Sequence, residues 1–260
     1  IEFSGKKYFF DKTIYEKRFY DSKGVAHPEV EIQFGPNIKD WPKMEALGNN
    51  LLVKVVSEIH DPVTTTDELI PSGETSSFRS NPLGLAEFTL SRKDPAYVGR
   101  AKAVRDGSDD VKTEVTAVCK ALNIKESDVQ LGSTIYATKP GDGSAREQAA
   151  SCQRVLGASC NIACEYATKR YRSNLMNWGM LPFLYKSGDL EASKNLPFTN
   201  GDYIYIPNVK ALVTEKAPSF KAFAVNTEGK VTEFELTTGD MTDDERKIIL
   251  AGCLINFYKN

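Results

Sequence analysis

The sequence predicts an α/β or β/β/α layered domain, and three observations lead to that prediction. Strand-like segments alternate with helical ones through the middle of the chain, and a run of β-rich segments follows Gly201. The composition, with 41% hydrophobic and 26% charged residues, is ordinary for a chain that buries its own core. Neither an internal repeat nor a low-complexity tract interrupts the 260 residues, which suit one large domain or a domain with an extension.

The start of the chain differs from the rest, so we predict an N-terminal arm and connector at 1–48 and the compact domain at 49–260. A nucleic-acid stacking platform would need more net positive charge than this arm offers. Residues 34–42 contain two prolines, which favours an extended connector. Aromatic side chains are dense in the arm, and we expect them to pack on a neighbouring surface: Tyr8, Phe9, Phe10, Tyr15, Phe19 and Tyr20.

The first elements of the compact domain follow from local patterns. Residues 51–59 are β-rich and predict its first strand, and residues 61–73 predict a polar turn. Residues 110–122 predict a helix, because five apolar side chains share one face at helical spacing: Val111, Val115, Val118, Cys119 and Leu122. Further helices are predicted at 81–88, 95–104, 144–156 and 168–177, and further strands at 133–138, 160–166 and 181–185. Residues 139–143 form a cluster of secondary-structure breakers between two of these elements.

The C-terminal part is predicted to be mostly β and closed by one helix. Thr242 and Glu245 have the spacing of a capping box, so the closing helix is predicted at 242–251. The predicted strands are 203–206, 212–214, 222–225 and 231–236.

The bulk properties exclude some classes of protein. A net charge of −2 leaves no basic excess for a run of phosphates, which argues against a dedicated nucleic-acid binder. No apolar run approaches the roughly 18 residues that a membrane span needs. The start at Ile1, without a signal segment, suggests a processed chain or an excised fragment.

The five cysteines predict a reduced, cytoplasmic protein, because their number is odd and they show no tight pairing pattern. Cys152, Cys160 and Cys164 are close enough in sequence to suggest a metal site. They lack the CxxC pair that is typical of zinc and iron–sulfur ligands. The pattern therefore favours small buried core residues, and we predict no metal ligands in this chain.

The strongest local feature is the segment Gly141-Asp-Gly-Ser-Ala-Arg-Glu-Gln-Ala-Ala150. Its glycines permit a tight turn, and the turn feeds a helix whose first N–H groups and positive dipole end attract anions. Ser144 lies at this point, and Arg146 adds a fork suited to a carboxylate. Two interpretations are open: Ser144 is a base stabilised as an alkoxide, or it is a helix N-cap with Glu147 completing a capping box.

A second polar segment, residues 64–73, offers hydroxyls and the carboxylate of Asp67, and Arg79 follows it. Taken alone, this segment is typical of a polar turn.

In combination, four segments in order resemble the aconitase family: the connector Gly35-Pro-Asn-Ile-Lys to Leu47, Thr65-Thr-Asp67 with Pro71-Ser-Gly73 and Arg79, Gly143-Ser-Ala-Arg-Glu-Gln-Ala-Ala150, and Lys169-Arg-Tyr-Arg-Ser-Asn-Leu-Met-Asn-Trp-Gly-Met-Leu-Pro-Phe183. The resemblance identifies a swivelling β/β/α (aconitase C-terminal-like) domain behind an N-terminal extended arm.

The resemblance implies a reaction, in which water is removed from and added across a hydroxy-polycarboxylic acid. It implies that Ser144 is the base, that Arg146 and Arg79 hold substrate carboxylates, and that Asp67 and Thr66 line the site. A [4Fe–4S] cluster is implied in the full-length protein, ligated by other domains outside this chain. The expected partners are therefore the substrate and those cluster-bearing domains, without nucleic acid or membrane, and the fragment should be inactive alone.

Three positions depart from the family pattern. Ile70 stands where a serine is usual, Ala145 replaces the second serine of the turn, and Gln148 replaces the common histidine. Lost hydroxyls can change specificity strongly. Two alternatives therefore stay open: a catalytically silent or regulatory aconitase relative, and a separate small subunit of the isopropylmalate dehydratase type. The charge balance gives no support to an RNA-binding regulator, and the long arm argues against a stand-alone subunit.

Overall fold

A computed structural model gives the structure of the chain and describes Gly5, residues 9–16 and residues 23–259. The chain divides into two compact units, residues 1–36 and residues 37–260. The first unit contains helix α1 (Thr13–Glu16). Phe10 stacks on Tyr15 there, with ring centroids 5.5 Å apart. Of the predicted aromatic arm, Tyr8, Phe19 and Tyr20 lie outside the described residues, and its packing on a neighbouring surface stays a prediction.

The second unit begins with the connector, whose Met44 and Leu47 are buried. Leu47 donates its N–H to the carbonyl of Leu250, and Arg154 donates to the carbonyl of Glu45 at 2.9 Å. Residues 37–48 therefore pack within this unit. The domain boundary after residue 48 stays a prediction about the organisation of the chain.

The second unit is built on a mixed seven-stranded sheet. Its strands are β1 (Leu51–Ile59), β3 (Gln130–Ala137), β5 (Ala158–Ala163), β6 (Leu181–Leu184), β7 (Tyr203–Ile206), β8 (Phe220–Val225) and β9 (Val231–Leu236), and β2 (Thr64–Thr65) pairs separately with β4 (Pro140–Asp142). The strand order is β6-β5-β3-β1-β7-β8-β9. The first four of these strands are parallel to one another, and the remaining pairs are antiparallel. An antiparallel bridge from Leu184 to Thr237 brings the two edges together, so the sheet is curled.

Nine helices of the second unit are described: α2 (Thr66–Leu69), α3 (Pro82–Ala86), α4 (Tyr97–Asp106), α5 (Asp109–Leu122), α6 (Arg146–Val155), α7 (Lys169–Asn177), α8 (Val209–Thr214), α9 (Asp243–Ala251) and α10 (Leu254–Lys259). Short 3-10 turns occur at Ser76–Phe78, Glu126–Asp128 and Ala192–Lys194.

Two hydrophobic cores form because successive side chains of a strand point to opposite faces of the sheet. One core joins Leu52 and Val56 of β1 to α4, α5 and α6. The other fills the inside of the curl, where Leu51 and Val53 meet the strands that fold over them. Two sheet layers and a helical layer result, so the predicted β/β/α architecture is confirmed.

Most predicted elements occur, and the exceptions have local causes. The strand predicted at 212–214 is wrong: these residues belong to α8, where Val209 and Val213 are buried four residues apart on one helix face. Within the predicted polar turn, Thr65 and Glu68 form a capping box that begins α2. The capping box of Thr242 and Glu245 is confirmed at the start of α9.

Among the described residues, none of the helices has the length and apolar character that crossing a membrane requires.

Candidate functional site

The loops that carry the predicted site leave neighbouring parallel strands at one edge of the sheet. Strand β1 leads through β2 to α2, β3 leads through β4 to α6, and β5 leads to α7. Because β1, β3 and β5 are parallel neighbours, their carboxyl ends meet at that edge. Open α/β sheets bind ligands outside the carboxyl ends of their strands.

Side-chain and backbone hydrogen bonds tie these three loops together. Strands β2 and β4 pair in parallel, which sets the first loop beside the second. The N–H of Ala145 donates to Oγ1 of Thr66 at 3.2 Å. From the third loop, Oγ1 of Thr168 donates to the carbonyl of Gly141 at 2.9 Å and also caps α7. The start of α6 therefore has a fixed position relative to α2 and α7.

The turn before α6 requires glycine at two positions. Gly141 has a φ of +99°, and a Cβ built there would lie 2.3 Å from the ring of Tyr171. Gly143 has a φ of +116°, and its Cβ would lie 2.5 Å from Oγ1 of Thr66. Positive φ is costly for residues with a side chain. The glycines thus let the chain turn tightly against both neighbouring loops.

Ser144 is exposed, and its hydroxyl has no hydrogen-bond partner in the described part of the chain. Helix α6 begins at Arg146, and its N-cap residue is Ala145, which has no side chain to cap with. Glu147 instead accepts a hydrogen bond from Nε1 of Trp178 at 2.9 Å. The interpretation of Ser144 as an N-cap in a capping box is therefore wrong, and its hydroxyl is available.

An open depression of about 310 Å³ surrounds this hydroxyl, and its lining comes from the starts of α6 and α7: Ser144, Arg146, Glu147, Lys169, Arg170, Ser173 and Asn174. The charged groups of Arg146, Lys169 and Arg170 form no ion pair with any described residue. Nε of Arg146 is buried and lacks a hydrogen-bond acceptor. Because these three cations have no ion-pair partner in the described part of the chain, the depression is a place where an anion is stabilised.

Basic residues are unfavourable where α7 begins. Lys169 and Arg170 occupy its first turn, beside the positive end of the helix dipole. Each such charge costs about 0.3–1 kcal/mol at an exposed helix terminus. The N–H groups in the first turn of α6 also lack acceptors within the described residues. A bound carboxylate would relieve the repulsion and accept hydrogen bonds from these groups.

Glu147 is the one acidic group among the residues that line the depression. Burial raises the pKa of Glu147, and hydrogen bonds from Trp178 and Ser151 partly oppose that shift.

The remaining predicted site residues lie elsewhere. Thr66 is buried beneath the turn, where its hydroxyl accepts from Ala145. Asp67 is exposed and accepts from Arg92 at 2.6 Å and from the N–H of Ser72 at 3.1 Å. Arg79 is exposed at the end of a 3-10 turn and has no ion-pair partner among the described residues. None of the three lines the depression, and their contact with substrate stays a prediction.

Sequence reasoning missed Lys169 and Arg170 as site residues. A signal was present, since two basic residues directly follow the N-cap Thr168, where acidic residues are favoured. Two of the positions that depart from the family pattern, Ile70 and Ala145, lie away from the depression. Both side chains are buried in the hydrophobic core, so neither departure removes a polar group from the depression.

The cysteines do not fit an iron–sulfur cluster. All five are free and buried. Burial raises the pKa of Cys152 and that of Cys160 to about 12, which disfavours the thiolate that a metal needs. Within the part of the chain that the structure describes, no group of three or more His, Cys, Asp or Glu side chains could hold a metal ion.

The match to a family model agrees with the resemblance seen in the sequence. Residues 89–188 match the family model of the aconitase C-terminal domain, a range that contains the glycine turn, α6 and α7. No curated protein matches the chain. The crystal structure of 3-isopropylmalate dehydratase (leuD) from Methanocaldococcus jannaschii is similar, with a TM-score of 0.45 and 19% identity over 81% of this chain and 93% of that chain.

Proposed function

We propose that this chain, which carries an aconitase-type C-terminal domain across residues 89–188, supplies the base and the carboxylate-binding groups of a hydro-lyase acting on a hydroxy-polycarboxylic acid. One observation carries the proposal: the hydroxyl of Ser144, which has no hydrogen-bond partner among the described residues, shares a depression with three cations that form no ion pair with any of those residues. A polycarboxylate supplies the anions that such a depression lacks.

The cations have separate roles in holding the substrate. Arg146 presents a planar fork to one carboxylate, and its position two residues after Ser144 brings that carboxylate near the hydroxyl. Lys169 and Arg170 hold a second carboxylate from the side of α7. Arg79 is exposed and has no ion-pair partner among the described residues. In the assembled enzyme it binds a further carboxylate of the substrate, and Asp67 and Thr66, from the same edge of the sheet, line the site.

Ser144 removes the proton in the dehydration direction. The N–H groups at the start of α6 and the guanidinium of Arg146 favour the alkoxide. The alkoxide takes a proton from the carbon next to a carboxylate, and the C–H electron pair forms the double bond while hydroxide leaves the neighbouring carbon. Ser144 then gives its proton to that hydroxide, which departs as water. Hydration follows the reverse order.

The [4Fe–4S] cluster that the family implies belongs, in this proposal, to cluster-bearing domains of the same protein, because the cysteines of this chain do not fit it. The present chain alone should therefore not turn over substrate. We also place the protein in the cytoplasm, because its cysteines are free and show no pairing pattern.

Replacement of the serine tests the proposal. In the full-length protein, Ser144→Ala should lower kcat by about 10²–10⁴-fold, the usual contribution of a general base, with fold and cluster content unchanged. Ser127→Ala is the matched control, because Ser127 is also exposed but lies in a 3-10 turn outside the depression. Near-normal turnover by Ser144→Ala with hydroxy-polycarboxylic acids would eliminate Ser144 as the base.

A further inference from the structure

We propose that Lys93 is a positioning residue, which holds helix α2 against the turn of Ser144 through ion pairs with Asp61 and Glu68. The inference rests on the proposed function for the role of Ser144, whereas the contact that it concerns can be measured without turnover. Lys93 is not among the residues that line the depression around Ser144. It therefore acts through α2 and not on a bound substrate.

Helix α2 cannot maintain its own position, because it has only four residues. A single helical turn is unstable in isolation, so α2 depends on tertiary contacts. One of these contacts reaches the candidate site: the N–H of Ala145 donates to Oγ1 of Thr66 at 3.2 Å. Gly143 faces the same hydroxyl, and a Cβ at that glycine would lie 2.5 Å from it. The location of α2 therefore sets the path of the chain on both sides of Ser144.

Residues 90–94 hold α2 at both of its ends. At its C-terminal end, the N–H of Leu90 donates to the carbonyl of Leu69 at 2.9 Å. In its first turn, Nζ of Lys93 lies 3.3 Å from Oε1 of Glu68. Leu90 is fully buried and has a φ of +55°, which is unfavourable for a residue with a side chain. Such a conformation persists only where the surrounding packing fixes it.

The segment that carries Lys93 is attached to the sheet and to the helical layer. Asp94 accepts a hydrogen bond from Oγ of Ser57 in β1 at 2.6 Å, and it forms an ion pair with Arg100 of α4. Nε of Arg100 also donates to the carbonyl of Val56 at 2.8 Å. The backbone of Lys93 therefore has a fixed base from which its side chain can hold α2.

Glu68 is the residue through which the ion pair affects the start of α2. Its Oε2 accepts from the N–H of Thr65 at 2.7 Å and from the hydroxyl of Thr65 at 2.9 Å, whereas its Oε1 faces Lys93. The N–H of Thr65, its hydroxyl and Lys93 hold the pKa of Glu68 below the usual value, although burial acts in the opposite direction. The carboxylate is therefore charged at neutral pH, and it joins the helix cap to the lysine.

Arg92 is less suited to this role, although it also pairs with two carboxylates. The side chains of its partners Asp67 and Glu74 are 52% and 57% exposed, and that of Arg92 is 48% exposed. The side chain of Lys93 is only 25% exposed. Because water and salt screen exposed ion pairs, the pairs of Lys93 should contribute more to the position of α2.

Amide hydrogen exchange at Ala145, followed by NMR on the present chain, tests the inference. The exchange rate of this N–H reports how often it leaves Oγ1 of Thr66. Lys93→Met removes the charge and keeps the aliphatic stem. We expect it to accelerate exchange at Ala145 about three- to tenfold, in line with the contribution of two partly exposed ion pairs. Lys93→Arg should keep the exchange slow, because it retains the charge.

A matched control and a change of salt complete the experiment. Lys102→Met is the control, because Lys102 is 34% exposed and pairs with Glu87 rather than with a residue of α2. It should leave the exchange at Ala145 unchanged. Sodium chloride at about 1 M should accelerate the exchange at Ala145 in the unmodified chain, relative to the amides of β1, and change it little in Lys93→Met, because salt screens ion pairs.

The consequence for the proposed function is measured in the full-length protein. Lys93→Met should lower kcat about three- to tenfold, the same range as for the exchange rate, and Lys93→Arg should retain the unmodified kcat. A kcat that stays unchanged while exchange at Ala145 accelerates would overturn the positioning role.

The exchange experiment can also overturn the inference without turnover. Unchanged exchange at Ala145 in Lys93→Met, equal acceleration in Lys102→Met, or loss of slow exchange in Lys93→Arg would each do so. Acceleration throughout β1 would show a general loss of stability instead of a local effect. The proposed function fails separately, since near-normal turnover by Ser144→Ala would remove the base while the exchange result stood.

Discussion

At the scale of the residue, the geometry of the site depends on positions where no side chain can be accommodated. Gly141 combines a positive φ with the ring of Tyr171 directly against its Cα. Tyr171 cannot yield easily, because it is fully buried and its hydroxyl accepts from Gln153 at 2.9 Å and from Asn161 at 2.8 Å. The same contact sets the distance between the turn of Ser144 and the start of α7.

We expect Gly141→Ala to lower the free energy of unfolding by at least about 2 kcal/mol, since both the backbone conformation and the Cβ position are unfavourable. Urea denaturation gives the measurement. Gly73→Ala is the control, because no atom of the described residues lies within 4 Å of its Cβ position and its φ is not positive. It should change stability by less than about 0.5 kcal/mol. Equal denaturation midpoints for the two variants would contradict this account of the turn.

Sequence alone could suggest Ser144 and Arg146, because they lie in one short segment with glycines before and a helix after. Lys169 and Arg170 could not be joined to them in that way. Their closeness depends on a tertiary contact, the hydrogen bond from Thr168 to Gly141. Neither residue has a local pattern that reports such a contact.

At the scale of the element, α7 begins with charges that oppose its own dipole. Its first two residues are Lys169 and Arg170, and no acidic residue lies in its first turn. Groups that serve a binding site are often retained at a cost in stability. Under the proposed function, the unfavourable charges at the start of α7 serve to bind the anion in the neighbouring depression.

We therefore expect Lys169→Glu to change stability and binding in opposite directions. The free energy of unfolding should rise by about 0.3–1 kcal/mol, because the new charge suits the helix N-terminus. Succinate affinity, measured by calorimetry, should fall.

Lys120→Glu is the matched comparison, since Lys120 lies in the last turn of α5, where a cation is favourable. It should lower stability by a similar amount and leave succinate binding unchanged. A loss of stability in Lys169→Glu would show that the lysine supports the helix rather than a ligand.

Sequence patterns predicted the limits of some strands correctly but missed or misassigned two short helices. Strands β1, β7 and β9 have the predicted limits, because each is a β-rich segment between turn residues. Helix α8 was mistaken for a strand because its apolar run is too short to distinguish the spacing of a helix from that of a strand. Helix α2 is only four residues long and depends on the pairing of β2 with β4, which is not a local property.

At the scale of the whole molecule, the sheet order is the feature that sequence reasoning did not reach. Strand β1 lies between β3 and β7, which are far from it in the chain, and the bridge from Leu184 to Thr237 closes the curl. These pairings are non-local. They are held by the burial of both faces, so local propensity does not specify them.

One polar network joins the helical layer to the centre of this sheet. Glu114 of α5 accepts hydrogen bonds from Lys54 of β1 and from the hydroxyl of Tyr203 in β7, the latter at 2.6 Å. Burial opposes the ionisation of Glu114, but these two hydrogen bonds hold its pKa below the usual value of 4.5. The network is therefore strongest when the carboxylate is charged.

The sign of the linkage follows from that depressed pKa. Glu114 stabilises the folded state above pH 4.5, the ordinary value for the unfolded chain, and this contribution is lost as the pH falls through the lower folded pKa. Glu114→Gln should thus be less stable than the unmodified chain at neutral pH. The difference should shrink below pH 4.5, because protonation of Glu114 removes the same charge that the substitution removes. Urea denaturation across this pH range measures the stability of both proteins.

Glu215→Gln, at an exposed glutamate without an ion-pair partner among the described residues, should follow the unmodified chain throughout. Parallel curves for Glu114→Gln and the unmodified chain would mean that the link between α5, β1 and β7 does not depend on the charge of Glu114.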